Sequence, residues 1–243
     1  MEAVKSKHIT KHFDGVYALD NLSLSFEKGE ITSIVGPNGS GKTTFINTLT
    51  GVIPHDKGSF LIQEVEKEHI RSYEVKDYGL TRTFQAVRLF EQMSVLDNIL
   101  LAFTERTIFR ALFERHNKLH IEQAEDILKR VDLWDKRNEN AENLSYGQRK
   151  LLEIARALAT RADIYLFDEP FAGLFPQMVD MVISIIKELR MGGKTVILVE
   201  HNMDIVRILS DHLIVLDAGK LLAEGEPNTV LKKKEVIEAY LGS

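Results

Sequence analysis

Apolar residues recur along this chain in two rhythms. Ile31-Thr32-Ser33-Ile34-Val35, Ile164-Tyr165-Leu166-Phe167 and Thr195-Val196-Ile197-Leu198-Val199 are short runs without charge, the pattern of strands buried on both faces. Residues 7–10 and 59–62 read as further strands, residues 22–26 alternate like another, and residues 81–85 end one more. Elsewhere the period is helical. After Ser94, the positions Val95, Asn98, Ile99 and Ala102 share a face. Over residues 119–131, Ala124, Ile127, Leu128 and Val131 line one side, with Glu122, Glu125, Lys129 and Arg130 on the other. Over 177–190, Val179, Val182, Ile186 and Leu189 point inward, and Gly192-Gly193 ends the pattern. Helices are also expected at 44–50, 149–159, 203–209 and 236–241. A hairpin is expected at 213–216 and 221–224, turning at Asp217-Ala218-Gly219-Lys220. Residues 104–117 mix polar and aromatic positions without a period.

Strands alternating with helices predict a mainly parallel sheet covered on both faces, with ligands held at the carboxyl ends of its strands. The block 87–153 holds no good strand and reads as a helical subdomain inserted into an α/β core formed by 1–86 and 154–243. Composition changes this picture little. The 243 residues are 44% hydrophobic and 28% charged, which fits one large domain or two small ones. A net charge of −5 argues against nucleic acid as the main partner, and Lys232-Lys233-Lys234 reads as a solvated helix end. Without cysteine there is neither a disulfide framework nor a thiolate metal site. Met1-Glu2-Ala3-Val4-Lys5 carries no apolar signal segment, and the longest nearly apolar run, 99–103, is too short to span a bilayer. A membrane role would therefore come through a partner.

The chemistry concentrates in Gly36-Pro37-Asn38-Gly39-Ser40-Gly41-Lys42-Thr43, which fits the phosphate-binding pattern G-x-x-x-x-G-K-[ST] between a buried strand and a helix starting near Thr44. Glycines let the backbone bend so that amides converge on phosphate at a helix N-terminus. Lys42 would reach the β- and γ-phosphates of a nucleotide, and the Thr43 hydroxyl would ligate Mg²⁺. The loop alone does not separate GTPases, kinases and motor ATPases. Asp168-Glu169 end one apolar strand and Glu200-His201 another, bringing them to the same sheet edge. Asp168 suits a Mg²⁺ shell and Glu169 a base that polarises water. His201 suits a γ-phosphate contact or an ordinary structural role. Ser145 with Gln148 three residues on forms a capping box, and with Gly147 also suits a second anion site. Phe13 fits either base stacking or anchoring of a loop, and Gln85 by itself is an ordinary surface polar residue.

In this order and spacing, these residues resemble the ATP-binding subunit of ABC transporters over essentially the whole chain. The resemblance implies a P-loop NTPase of RecA-like α/β class, with an N-terminal antiparallel β subdomain and the inserted helical subdomain. Loop 36–43, with Thr44 after it, matches Walker A; Gln85 matches the Q-loop glutamine, which would share in catalysis and in the Mg²⁺ shell. Leu144-Ser145-Tyr146-Gly147-Gln148 matches the signature, Ile164 through Asp168 Walker B, Glu169 the catalytic glutamate, His201 the switch histidine and Phe13 the adenine-stacking aromatic. The run Thr81-Arg82-Thr83-Phe84-Gln85-Ala86-Val87-Arg88-Leu89-Phe90, together with Leu152-Glu153-Ile154-Ala155-Arg156-Ala157-Leu158, Glu200-His201-Asn202-Met203 and Ala239-Tyr240-Leu241-Gly242, is similar to the branched-chain amino acid importer ATPases. Part of it, including Pro170-Phe171-Ala172-Gly173, is also similar to lipopolysaccharide exporter ATPases.

The resemblance implies an ATPase using ATP and Mg²⁺. It would pair head to tail with a second copy or homologue, so that each ATP lies between one Walker A loop and the other copy's Ser145, Gly147 and Gln148. Membrane permease subunits would dock after Gln85 at the cytoplasmic face, served indirectly by a solute-binding protein. The alternatives are an exporter ATPase or a non-hydrolysing nucleotide-binding regulator. Two positions depart from the pattern: Tyr146 replaces the signature's first glycine, and Phe175 stands where the D-loop usually ends in Asp.

Overall fold

A long first strand, β1 (Glu2–Phe13), opens the chain in the computed structural model, which describes residues 1–103 and 118–241. The aperiodic stretch 104–117 and the final residues Gly242 and Ser243 lie outside the described residues. β1 turns into β2 (Val16–Leu22) with Phe13 opposite Val16. Both turn residues have positive φ, Asp14 at 46° and Gly15 at 87°, as the tight hairpin requires. β3 (Ser25–Glu27) follows, so the alternation over 22–26 is not one strand: it straddles the end of β2 and the start of β3. The first strand is likewise longer than 7–10, because β2, β3 and the later strand Lys57–Ile62 all pair with it.

β4 (Ile31–Val35) leads through the glycine loop into α1 (Lys42–Leu49), and Gly51 beyond the helix takes φ 64°. β5 (Lys57–Ile62) and β6 (Val65–Lys67) form a hairpin, and β7 (Leu80–Arg82) follows a single 3₁₀ turn. Then come α2 (Val95–Phe103), α3 (Lys118–Arg130) and α4 (Tyr146–Ala159). β8 (Ile164–Asp168), α5 (Pro176–Met191), β9 (Thr195–Val199), α6 (Met203–Leu209), β10 (His212–Asp217) and β11 (Lys220–Gly225) alternate after them. Short α7 (Pro227–Val230) and α8 (Lys234–Leu241) close the described chain.

The strands form two sheets. One is antiparallel, in the order β2-β1-β5-β6 with β3 beside β1. The other has the order β11-β10-β4-β9-β8-β7; β10, β4, β9, β8 and β7 run parallel and β11 is an antiparallel edge. Every residue of β4, β8 and β9 is buried, which explains their unbroken apolar runs. One core joins both sheets through α1: Phe26 stacks on Phe45 at 6.0 Å and Phe45 meets Phe60 edge-on at 6.1 Å, with Ile34, Leu166 and Ile197 in the same cluster.

The chain groups into two compact units. The first is Met1–Arg82, Asp163–Glu169 and Ile186–Ser243, and holds both sheets. The second is Thr83–Ala162 with Pro170–Ile185. Inside it α2, α3 and α4 pack on one another, and Val95, Ile99, Ala124, Leu128, Leu151 and Leu152 are among their buried apolar residues. Among its described residues the one β contact is an isolated bridge between Ser94 and Asn140.

Candidate nucleotide site

β4 delivers the glycine loop to the sheet edge. Gly36 has φ 150°, and a Cβ there would lie 2.1 Å from the Leu216 carbonyl oxygen of β10, so the loop's first residue sits flush against the neighbouring strand. Ser40 N–H donates to the Pro37 carbonyl at 3.2 Å, closing the loop on itself. Gly41, at φ 101°, occupies the N-cap of α1, and no side chain caps that helix. The amides of Lys42, Thr43 and Thr44 in its first turn have no acceptor within the helix, which makes the loop a donor-rich cradle at the positive end of a dipole. Asn38, Gly39 and Thr43 are exposed, while Ser40 and Lys42 are buried. The Lys42 ammonium bends back to donate to the carbonyls of Gly36 (2.8 Å) and Pro37 (3.0 Å). Burial pulls its pKa down, and the charges of Glu169 and Asp168 oppose that shift.

Those carboxylates come from the end of β8. Asp168 is buried and its Oδ2 accepts from Arg82 Nη2 at 2.9 Å, both side chains being about as shielded as the core (3% and 5% exposed). Glu169 takes φ 50°, a left-handed conformation unusual for a residue with a Cβ, held by its N–H bond to the Val199 carbonyl at 3.0 Å. Such strain costs on the order of 1–3 kcal/mol and turns the chain sharply as it leaves the strand. The turn brings Glu169 Oε1 to 2.9 Å from His201 Nε2. His201 is positioned in turn by Glu200, whose buried carboxylate accepts from the amides of His201 (3.0 Å) and Asn202 (3.4 Å); Asn202 then caps α6. The first unit thus gathers Lys42, Asp168, Glu169 and His201. Arg82 and Glu200 support that cluster; both stand in runs that carry the resemblance, and the sequence assigns a site role to neither. Phe13, at the end of β1, is half exposed with the Lys11 ammonium 5.2 Å from its ring centroid.

The remaining site residues belong to the second unit. Ser145 caps α4 with both bonds of the capping box in place: Gln148 N–H to Ser145 Oγ at 3.3 Å, and Ser145 N–H to Gln148 Oε1 at 3.0 Å. Gly147 is buried, and a Cβ there would meet Met178 Sδ at 2.8 Å. Tyr146 is exposed, with its ring edge against Gly173. Gln85 is exposed, and the segment after it is held by α4: buried Glu153 accepts from Phe84 N–H at 3.1 Å, and Arg156 donates to the Arg88 carbonyl at 2.6 Å. Desolvation pushes the Glu153 carboxyl up, against the backbone hydrogen bonds it accepts from Phe84 and Arg88. Phe175 is 73% exposed just before α5.

A family model described as ABC transporter matches residues 19–172. The chain belongs to the ABC transporter family. This cassette is 38% identical over 252 residues to a probable branched-chain amino acid transport ATP-binding protein LivG of Archaeoglobus fulgidus, covering 100% of this chain and 96% of the relative. It superposes on the crystal structure of a nucleotide-free ATP-binding cassette from an ABC transporter with a TM-score of 0.87, 35% identity and full coverage of both chains. A dimeric cassette in a post-hydrolysis state bound to ADP and Pi gives a TM-score of 0.82 at 28% identity, covering 92% of this chain and 98% of that one. The mixed fold, with a phosphate-loop core and an N-terminal antiparallel sheet, is therefore that of the ABC ATPase cassettes.

Two glycine changes in the cassette loop separate packing from conformation. Gly39, at φ 80°, has nothing within 4 Å of where a Cβ would stand, so Gly39→Ala is expected to cost about 1 kcal/mol, the left-handed term alone. Gly36→Ala adds the clash with Leu216 and is expected to cost about 1–3 kcal/mol more. Urea midpoints of the two variants measure the difference; equal midpoints would show that contact with β10 does not fix Gly36.

Proposed function

We propose that this cassette binds ATP with Mg²⁺ at loop 36–43 and hydrolyses it to drive import of branched-chain amino acids, or of a similar small polar solute, through a membrane permease. The observation that carries the catalytic part is the cluster itself: an uncapped helix N-terminus, a buried Lys42, and Asp168 and Glu169 at one sheet edge. The cargo class rests on full-length similarity to the LivG relative.

The residues divide the work. The loop amides and Lys42 hold the phosphates, which requires the ammonium to exchange the Gly36 and Pro37 carbonyls for phosphate oxygens. Phe13 stacks on the base. Thr43, Asp168 and Gln85 are hard oxygen donors suited to Mg²⁺, which when bound neutralises charge on the β- and γ-phosphates. Glu169 orients the attacking water and takes its proton, and His201, already hydrogen-bonded to Glu169, holds that carboxylate and then the γ-phosphate.

Ser145, Gly147 and Gln148 serve the ATP of a second, head-to-tail copy, with α4's N-terminus as the anion site. The block 87–153, contained for its described part in the second unit, acts as the helical subdomain, with 1–86 and 154–243 as the core, although residues 83–86, 154–162 and 170–185 also group with the second unit. Permease subunits dock on the segment after Gln85, where Phe90 is 51% exposed and braced by the Arg156 guanidinium 5.2 Å from its ring. No helix among the described residues is long and apolar enough to cross a membrane. The proposed docking on the permease places the cassette at the cytoplasmic face. A solute-binding protein would present the cargo to the permease.

Two experiments test this. Glu169→Gln keeps shape but removes the basic charge, so with ATP and Mg²⁺ the variant is expected to elute as a stable dimer while wild type elutes mainly as monomer. Adding Ser145→Arg should abolish that dimer. A Glu169→Gln protein that binds ATP yet stays monomeric at micromolar concentration would contradict the sandwich. In vesicles carrying the cognate permease and binding protein, labelled leucine uptake should require ATP. Phe90→Asp should remove that uptake while leaving the isolated cassette's ATPase rate within about twofold, since surface changes away from a site are near neutral. ATP-dependent uptake of an unrelated solute, with none of leucine, would refute the cargo assignment.

A further inference from the structure

Arg82 carries none of the binding or catalytic roles proposed above, yet its guanidinium ties together two elements of the first unit's site. In the β7–β8 ladder it pairs with Leu166, two residues before Asp168, so Arg82, Leu166 and Asp168 stand on one face of the sheet. That face packs on α1, because Leu166 shares a core cluster with Phe45, Ile46 and Leu49. The guanidinium reaches from the sheet into the last turn of α1. Nη1 donates to Asn47 Oδ1 and Thr50 Oγ1, each at 2.8 Å, and Nη2 donates to Asp168 Oδ2 at 2.9 Å. Thr50 can accept because its own hydroxyl proton goes to the Ile46 carbonyl at 2.7 Å.

We propose that Arg82 is a positioning residue for the metal-binding carboxylate, clamping Asp168 of β8 to the C-terminal turn of the phosphate-loop helix. The inference rests on the proposed role of Asp168 as a Mg²⁺ ligand. Simple charge compensation would need only a cation nearby. What the geometry supplies is a planar fork whose two nitrogens serve two different elements, which a lysine's single ammonium cannot reproduce. The consequence is that the carboxylate and the helix bearing Lys42 and Thr43 hold a fixed register, so the oxygen ligands contributed by strand and helix are set before metal arrives. The tie spans 86 residues of sequence, and both side chains are almost fully shielded from solvent.

The test is a titration of the full-length cassette with the fluorescent nucleotide mant-ATP, first in EDTA and then across a series of MgCl₂ concentrations. Arg82→Lys is expected to leave affinity in EDTA within about twofold while raising the half-saturating Mg²⁺ concentration about tenfold, the usual scale for loss of an outer-shell partner. A purely structural role would lower the melting temperature and leave the Mg²⁺ requirement where it was. Half-saturation unchanged in a variant with native near-UV circular dichroism overturns the proposal. Because a buried ion pair tolerates change poorly, Asn47→Ala combined with Thr50→Val provides a second route. It keeps the Arg82–Asp168 pair and removes both side-chain acceptors on α1, leaving the longer 3.5 Å approach of Nη1 to the Ile46 carbonyl, and it too should raise the Mg²⁺ requirement several-fold; no change there equally overturns the clamp. Wild type that binds no mant-ATP under either condition would overturn the nucleotide reading, and the clamp with it.

Discussion

Two carboxylates, Asp168 and Glu169, follow one another at the end of a strand whose every residue is buried, and the organisation of this site depends on how their charge is compensated. Adjacent anions repel, and charge held away from water needs partners that favour it. The fold answers with different partners for each. Asp168 receives a guanidinium from the neighbouring strand β7. Glu169 is turned away from it by a left-handed backbone and meets the ring of His201, just beyond β9. Lys42, at the start of α1, feels both charges while its ammonium donates to loop carbonyls. A cation poised between carbonyls and a pair of anions is well placed to move when phosphate oxygens arrive.

Much of this is legible in the sequence, for identifiable reasons. β4, β8 and β9 are buried on both faces, so their apolar runs are unbroken and their polar ends stand out. Ser145 and Gln148 signal a helix start by a local, three-residue rule, and the capping box is there. The apolar pattern does not reveal β2 or its register, although Asp14-Gly15 is among the strongest short hairpin signals; the exposed Val16 and Tyr17 give no buried face to read. Arg82 and Glu200 stand in runs that carry the family resemblance, but what each does is hidden for another reason. Each acts through tertiary geometry, Arg82 by reaching a partner far along the chain and Glu200 by folding its carboxylate back on the following amides. No spacing rule encodes either.

The two departures from the family pattern have different physical characters. Tyr146 is accommodated: its ring lies against Gly173, where any Cβ would come within 2.8 Å of it, so the extra volume in the signature is matched by the absence of a side chain in the following loop. Phe175 is not accommodated within the chain. It stands exposed before Pro176, offers its carbonyl to Met178 and Val179 N–H, and has no side-chain oxygen to cap α5 as an Asp would. Nothing in the structure explains the choice of phenylalanine there.

Steady-state phosphate release by the purified cassette tests most directly whether the loop after β4 is a phosphate site serving hydrolysis. With saturating ATP and Mg²⁺, Lys42→Ala is expected to lower turnover by about a hundredfold or more, the scale for removing one preorganised donor to developing phosphate charge. Turnover near that of wild type in a folded Lys42→Ala protein would contradict that role for the loop.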